Sequence, residues 1–160
     1  MSPMRKLPLT IVLALLFSAL PAFAAETTRE SYVDAVEPIC KANTEANEKI
    51  LQGVRAKVKA GKLDAAAKQF FAAARALKRT RAQLLQVPKP TADATVLTKW
   101  LVYVKKEAEL FEAVGRKLAK GEKTGAQKMV LRLVSNARQA NNLVLDFEFR
   151  YCRFQPSKFI

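Results

Sequence analysis

The chain has 160 residues, of which 28 are lysine or arginine and 14 are aspartate or glutamate, so its formal net charge is +14. It contains no histidine, which excludes a histidine triad, a histidine-ligated zinc or haem, and the carboxylate-histidine di-iron site of helical bundles. The sequence also lacks a paired-cysteine haem motif and a glycine-rich phosphate loop. We therefore expect a protein that is not an enzyme and needs no cofactor or metal.

Residues 1–24 are typical of a secretory signal peptide. Arg5 and Lys6 precede an apolar run over residues 7–20, and Ala22 and Ala24 supply the small side chains at the third and first positions before a cleavage site. An uncleaved membrane anchor is the alternative, but the run is shorter than the ~20 residues that a membrane span needs.

Cleavage is therefore expected before Ala25, leaving one helical-bundle domain over residues 25–160. Removal of the signal takes away two of the 28 basic residues and none of the 14 acidic ones, so the net charge becomes 26 minus 14, or +12. The expected location is extracytoplasmic, either secreted or periplasmic.

Two cysteines, Cys40 and Cys152, remain after removal of the signal. An even number in an oxidising compartment predicts one disulfide, and two inert buried thiols are the alternative. Because the closed loop would span most of the domain, the chain-entropy model assigns the bridge about 4 kcal/mol.

The first half of the mature chain predicts two amphipathic helices. Apolar residues recur at intervals of three and four from residue 31 onward. Pro38 is tolerated if the main helix starts close to it, and Gly61 fits the end of that helix. The second helix starts at Leu63 and stops before the two prolines of residues 87–90.

The second half predicts two more helices. Thr91 or Asp93 is expected to cap the third helix, which ends near Gly121. The fourth helix is expected to end at Asp146, because apolar residues then alternate with a period of two.

The predicted fold is all-α: an antiparallel up-down-up-down four-helix bundle with an extended aromatic C-terminal tail and one disulfide. This order places Cys40 and Cys152 at the same pole, which agrees with the predicted bridge. Other helical topologies remain the alternative.

Three glutamates lie close together in the third helix: Glu107, Glu109 and Glu112. Paired carboxylates can perform acid-base chemistry, but basic residues surround these three and the apolar stripe of this helix uses other positions. We therefore expect a solvated, salt-bridged face.

Asparagines on the apolar stripes predict a polar layer near the disulfide pole. A hydrogen-bonded layer that fixes helix register is the preferred interpretation, and a small polar pocket is the alternative. The candidate residues are Asn43, Asn47, Arg138, Asn141 and Asn142.

The opposite pole is strongly basic, which predicts binding to anionic partners. These would be an anionic cell-envelope polymer, an anionic lipid surface or an acidic protein. Nucleic acid is not expected, because base-stacking aromatics and an arginine-glycine-rich arm are absent. A solubilising surface is the alternative. The candidate residues are Arg55, Lys57, Lys59, Lys62, Arg116, Lys117, Lys120 and Lys123.

Several segments resemble a group of small secreted helical proteins of actinobacteria whose function is uncharacterised. They include residues 32–51 around Cys40, residues 99–101, the Asn141-Asn142 pair and residues 151–154. The resemblance implies export and cysteine pairing, and it implies no activity.

The expected function is therefore a non-enzymatic binding or structural role at an anionic envelope component. The alternative is an extracytoplasmic helical chaperone or stress protein that binds exposed apolar segments.

Overall fold

The protein, described here by a computed structural model over residues 26–156, is all-helical in that range, as predicted. Its helices are α1 (Arg29–Leu51), α2 (Val54–Lys59), α3 (Leu63–Leu84), α4 (Ala94–Ala119) and α5 (Lys123–Leu143). Short 3-10 turns cover Thr91–Asp93 and Leu145–Phe147. The predicted signal peptide and its cleavage site lie outside the described residues.

Helix α1 begins nine residues before Pro38, so the prediction that the main helix starts at this proline was wrong. Thr28 and Ser31 form a capping box in which each side chain accepts the other residue's backbone N–H, at 3.1 and 3.0 Å. Tyr32 and Val36, one helical turn apart, are completely buried. Their burial holds the first turns in place although Pro38 lacks the N–H that an interior helical position normally donates.

The predicted continuous helix to Gly61 is interrupted after Leu51. Gly53 has a φ of 71°, a conformation that glycine adopts without a steric penalty. The break leaves carbonyl groups without helical partners, and the side chain of Gln69 in α3 donates to two of them. Its Nε2 lies 2.6 Å from the carbonyl oxygen of Ile50 and 3.0 Å from that of Gln52.

Gly61 follows the end of α2 and Gly121 follows the end of α4, so both glycines mark helix ends as predicted. Their φ values are 73° and 74°, and in each turn the next residue's N–H reaches back to the carbonyl of Lys57 or Lys117 at 2.9 Å. This is the Schellman arrangement. The two helical hairpins of the chain therefore share one turn geometry.

The helices pack in a chain of neighbours: α1 against α3, α3 against α4, and α4 against α5, with α2 also on α3. Apolar residues of α4 that recur at intervals of three and four form a stripe that is buried in the core, as this spacing predicts. Its buried members are Leu97, Trp100, Val104, Ala108, Phe111, Val114 and Leu118.

Asp93 does not cap α4 through its side chain, contrary to one of the two predicted caps. Its carboxylate instead accepts two hydrogen bonds from the guanidinium of Arg29 in α1, at 2.7 and 3.0 Å. The hydrogen bonds from Arg29 hold the pKa of Asp93 below its ordinary value. This pair ties the start of α1 to the start of α4.

The segment after α5 bridges α1 and α5. Helix α5 ends at Leu143, three residues before the predicted end, and residues 148–155 are not helical. The carboxylate of Glu37 in α1 accepts the backbone N–H groups of residues 150–152 at 3.0–3.2 Å. Asn141 in α5 donates to the carbonyl of Phe154 and accepts its N–H.

Cys40 and Cys152 form the predicted disulfide, with their Cα atoms 5.0 Å apart. The bridge fastens the C-terminal segment to α1 next to the Glu37 contacts. A disulfide is typical of an oxidising, extracytoplasmic environment. Within residues 26–156, none of the helices is both long and apolar enough to cross a membrane.

Candidate functional site

Three residues of the predicted basic pole surround an apolar groove between α2 and α5. Arg55 and Lys59 come from α2 and Lys123 from the first turn of α5. The groove has a volume of about 640 Å³. Its apolar lining comes from all four of the helices that meet there: Val54, Val58, Phe70, Val114, Leu118, Ala126, Val130 and Leu131.

Leu131 makes this groove an unusual surface, because its side chain is 70% exposed. Single exposed leucines are common on soluble proteins. Here the leucine continues an apolar groove whose rim is cationic, so the surface combines hydrophobic contact with positive charge.

The other five residues of the predicted pole are not part of the groove lining. Lys117 forms an ion pair with Glu122, and Arg116 lies 3.9 Å from Glu112. The hydrogen bond from Lys117 lowers the pKa of Glu122. Lys57, Lys62 and Lys120 lie in α2 or the two glycine turns. The predicted basic pole therefore contains three residues that line the groove and five that do not, and two of those five, Arg116 and Lys117, lie close to glutamates.

Glu107 overturns the prediction that all three glutamates of α4 form a solvated face. Glu109 does pair with two lysines and Glu112 with Lys78 and Arg116, as expected of an exposed face. Glu107, by contrast, is 2% exposed.

The helical register explains why Glu107 points inward. It lies three residues after Val104 and four before Phe111, both buried, so the same face of α4 must carry all three. The sequence therefore contains the signal, although the spacing of the stripe fits the apolar Ala108 equally well. Both positions are buried.

A buried asparagine on α5 stabilises the Glu107 side chain. Asn136 Nδ2 lies 2.6 Å from Glu107 Oε2 and 3.1 Å from the carbonyl oxygen of Tyr103. Removal of the carboxyl group from water raises the pKa of Glu107 to about 8, and the hydrogen bond from Asn136 opposes this shift. Glu107 is therefore a neutral acid at pH 7. Asn136 was absent from the predicted polar residues, although it lies at helical spacing from buried Leu133 and Ala140.

Glu107 lines a second cavity of about 460 Å³, to which α1, α3, α4 and the C-terminal segment also contribute. Trp100 and Phe111 line it from α4, and the disulfide lines it on the side of α1. The cavity thus combines a buried carboxyl group with aromatic walls.

The predicted polar layer is divided in the structure. Asn47 donates to Asn43 at 3.4 Å within α1, and both line the cavity of Glu107. Asn141 binds Phe154 of the C-terminal segment, while Arg138 and Asn142 are exposed. Among residues 26–156, no hydrogen bond joins the two groups directly, because the C-terminal segment lies between α1 and α5.

Comparisons with protein-family models, with curated proteins and with solved structures found no protein similar to this chain. The resemblance to secreted actinobacterial proteins accordingly stays a prediction.

Proposed function

We propose that the protein is a non-enzymatic, extracytoplasmic binding protein that attaches to an anionic lipid surface through the groove between α2 and α5. The observation that carries this proposal is the apolar groove with Arg55, Lys59 and Lys123 at its rim. Anionic lipid offers the matching chemistry, since negative headgroups lie directly above an apolar layer.

The apolar lining favours lipid over the other anionic partners. A cell-wall polymer requires only positive charge, which the outer surfaces of α2 and the glycine turns supply without a groove. Lipid also accounts for Leu131, whose exposed side chain would enter the acyl boundary and gain hydrophobic free energy there.

The charge is sufficient for reversible attachment. A basic side chain near an anionic membrane contributes about 1 kcal/mol. Lys59 and Lys123 alone would then contribute about 2 kcal/mol, a change of about 30-fold in affinity. Because the Debye length is ~8 Å at physiological ionic strength, added salt should weaken this attraction.

The proposal includes cleavage of residues 1–24 and an antiparallel up-down-up-down order of the long helices. In that order both glycine turns lie at one pole, opposite the disulfide. Two observations support it: neighbouring long helices pack on each other in chain order, and the groove combines α2 with the start of α5.

Co-sedimentation with vesicles of neutral and anionic lipid tests the proposal. We expect binding that increases with the anionic fraction, and about 30-fold weaker binding of the double variant Lys59→Gln/Lys123→Gln. The matched control is Arg79→Gln/Lys99→Gln, which also removes two exposed positive charges. These two positions lie roughly 13 and 22 Å along their helices from the groove residues Phe70 and Val114.

A loss of binding that is equal in the two double variants would contradict the proposal, because the attraction would then depend on net charge alone. Absence of binding to anionic vesicles at low salt would also contradict it.

The same groove favours a second function, the capture of exposed apolar segments by an extracytoplasmic chaperone. Leu131→Ser should then abolish suppression of client aggregation at physiological salt, while Lys59→Gln/Lys123→Gln should leave it unchanged. The lipid proposal predicts that the lysine variant loses binding as well, so this pair of variants distinguishes the two functions.

A further inference from the structure

The C-terminal segment, residues 148–156, is attached to α1 in two chemically different ways. The disulfide joins Cys152 to Cys40. Glu37 lies three residues before Cys40, on the same face of the helix, and its carboxylate accepts the backbone N–H of Cys152 at 3.2 Å. One face of α1 therefore binds both the side chain and the main chain of Cys152.

The Glu37 carboxylate also binds the two residues before Cys152. It accepts the N–H of Arg150 at 3.0 Å and that of Tyr151 at 3.0 and 3.1 Å. Consecutive N–H groups that converge on one anion are typical of anion-binding backbone turns, and hydrogen bonds to a charged acceptor are stronger than those between neutral groups. Neither sulfur atom takes part in this contact, so it can form in the reduced protein as well.

Contacts with α4 and α5 are equally independent of the disulfide. Asn141 in α5 accepts the N–H of Phe154 at 2.9 Å and donates to its carbonyl oxygen at 3.0 Å. Phe149 is 2% exposed, and its ring lies 5.5 Å from that of Trp100 in α4. The segment thus contacts three helices through groups other than its cysteine.

We propose that the C-terminal segment docks on the helices before the disulfide forms, and that Glu37 positions Cys152 next to Cys40. In the reduced protein the docked segment would hold the two cysteines near their separation in the bridged pair, in which the Cα atoms are 5.0 Å apart. Oxidation then joins two groups that are already neighbours, and reduction leaves the segment in place. The inference does not depend on the proposed lipid attachment.

Exchange with glutathione shows what this docking changes. The two cysteines give up two protons and two electrons as the bridge forms, and one glutathione disulfide becomes two molecules of reduced glutathione. The equilibrium constant of the exchange is proportional to the docked fraction of the reduced protein, as for any process in which one of two conformations is competent. A residue that docks the segment therefore controls how readily Cys40 and Cys152 pair.

The first experiment measures this equilibrium constant in glutathione redox buffers. Glu37→Gln should lower it by about tenfold or more, because an uncharged amide with one acceptor oxygen replaces a carboxylate that accepts three N–H groups. The matched control is Glu45→Gln, which removes an exposed negative charge of α1 and should leave the constant unchanged. A substitution that destabilises the reduced and the oxidised protein equally does not alter this constant. An unchanged constant in Glu37→Gln would therefore overturn the positioning role.

The second experiment measures docking when the bridge cannot form. Trypsin cleaves after Arg150 and Arg153 once the local backbone leaves the helices, so the cleavage rate reports the undocked fraction. Cys40→Ser/Cys152→Ser should be cleaved at these two sites within about threefold of the rate of the unmodified protein. Addition of Glu37→Gln to this variant should raise the rate by about tenfold or more.

The emission of Trp100, the single tryptophan of the chain, provides a second readout of the same event. Release of the segment removes Phe149 from the indole ring and admits water, so emission should move to longer wavelength only in the variant that lacks both the cysteines and Glu37. The unmodified protein kept reduced with a phosphine is measured in parallel, so that the test does not depend on the folding of the serine variant.

Rapid cleavage of the reduced protein while Glu37 is intact would overturn the proposal, because the segment would then depend on the disulfide. Slow cleavage and unshifted emission after loss of both the cysteines and Glu37 would also overturn it, because other contacts would then position the segment.

Discussion

Replacing Glu107 by glutamine should change the pH dependence of folding in a way that the structure quantifies. In the folded protein the pKa of Glu107 is about 8, against an ordinary value of 4.5. Between these two values the folded state holds a proton that the unfolded state has released. The stability contributed by this proton is complete below pH 4.5 and is lost progressively as the pH rises to about 8.

The magnitude follows from the size of the pKa shift. Each pH unit within this window costs the unmodified protein about 1.4 kcal/mol, and the whole window about 5 kcal/mol. Glutamine does not titrate, and its carbonyl oxygen can still accept the hydrogen bond from Asn136. The variant should therefore have nearly the stability of the unmodified protein at pH 5 and exceed it by several kcal/mol at pH 8.

Urea unfolding followed by far-ultraviolet circular dichroism at half-unit steps from pH 5 to 8.5 measures this difference. Other shifted groups, such as Asp93, are common to both proteins and cancel in the comparison. Glu109→Gln is the control and should give a difference that does not vary with pH by more than about 0.5 kcal/mol. A constant difference between Glu107→Gln and the unmodified protein would refute the assignment of Glu107 as a buried neutral acid.

Three further predictions concern α1 and the segment fastened to it. Cys40→Ser/Cys152→Ser should lower the free energy of unfolding by about 4 kcal/mol in urea titrations, and a loss below about 1 kcal/mol would show that the loop restricts the unfolded chain little. Pro38→Ala should raise the melting temperature, because alanine restores a helical N–H worth about 1–3 kcal/mol and the side chain at this position is exposed. A lower melting temperature would contradict the exposed placement of the proline ring. Glu37→Gln should weaken three charge-assisted hydrogen bonds, lower the free energy of unfolding by about 1–3 kcal/mol and speed proteolysis of the C-terminal segment. Equal proteolysis rates in the variant and the unmodified protein would contradict the anchoring role of Glu37.

The helical class, the glycine turns and the disulfide were predictable because each depends on local pattern. Gly61 and Gly121 could be assigned from spacing alone, since a helix end in the left-handed conformation favours glycine. Cys40 and Cys152 could be paired because an even cysteine count and the helix order agreed.

The errors arise where tertiary contacts outweigh local preference. Pro38 disfavours an interior helical position, but buried residues on both sides of it keep α1 continuous there. Glu107 was assigned to solvent by its charge, whereas Asn136 on another helix supplies the partner that makes its burial tolerable. The spacing of both residues is compatible with inward faces, but only the packing of α4 against α5 brings them together.

The groove could be predicted only in part. The basic residues of α2 and α5 were identified from charge and topology. The apolar lining depends on the break at Gly53, which separates α2 from α1 and was not predicted. Without this break, Val54 and Val58 would belong to one continuous helix with α1.

Quenching by brominated lipid tests most directly whether this groove meets the membrane. One variant carries a tryptophan at Leu131, on the groove, and the other at Leu145, which is 62% exposed in the turn after α5. The emission of each variant is compared with that of the unmodified protein, whose only tryptophan is buried. With anionic vesicles containing bromine in the acyl chains, Leu131→Trp should be strongly quenched and Leu145→Trp should not. Equal quenching at both positions, or quenching at Leu145→Trp alone, would contradict attachment through the groove.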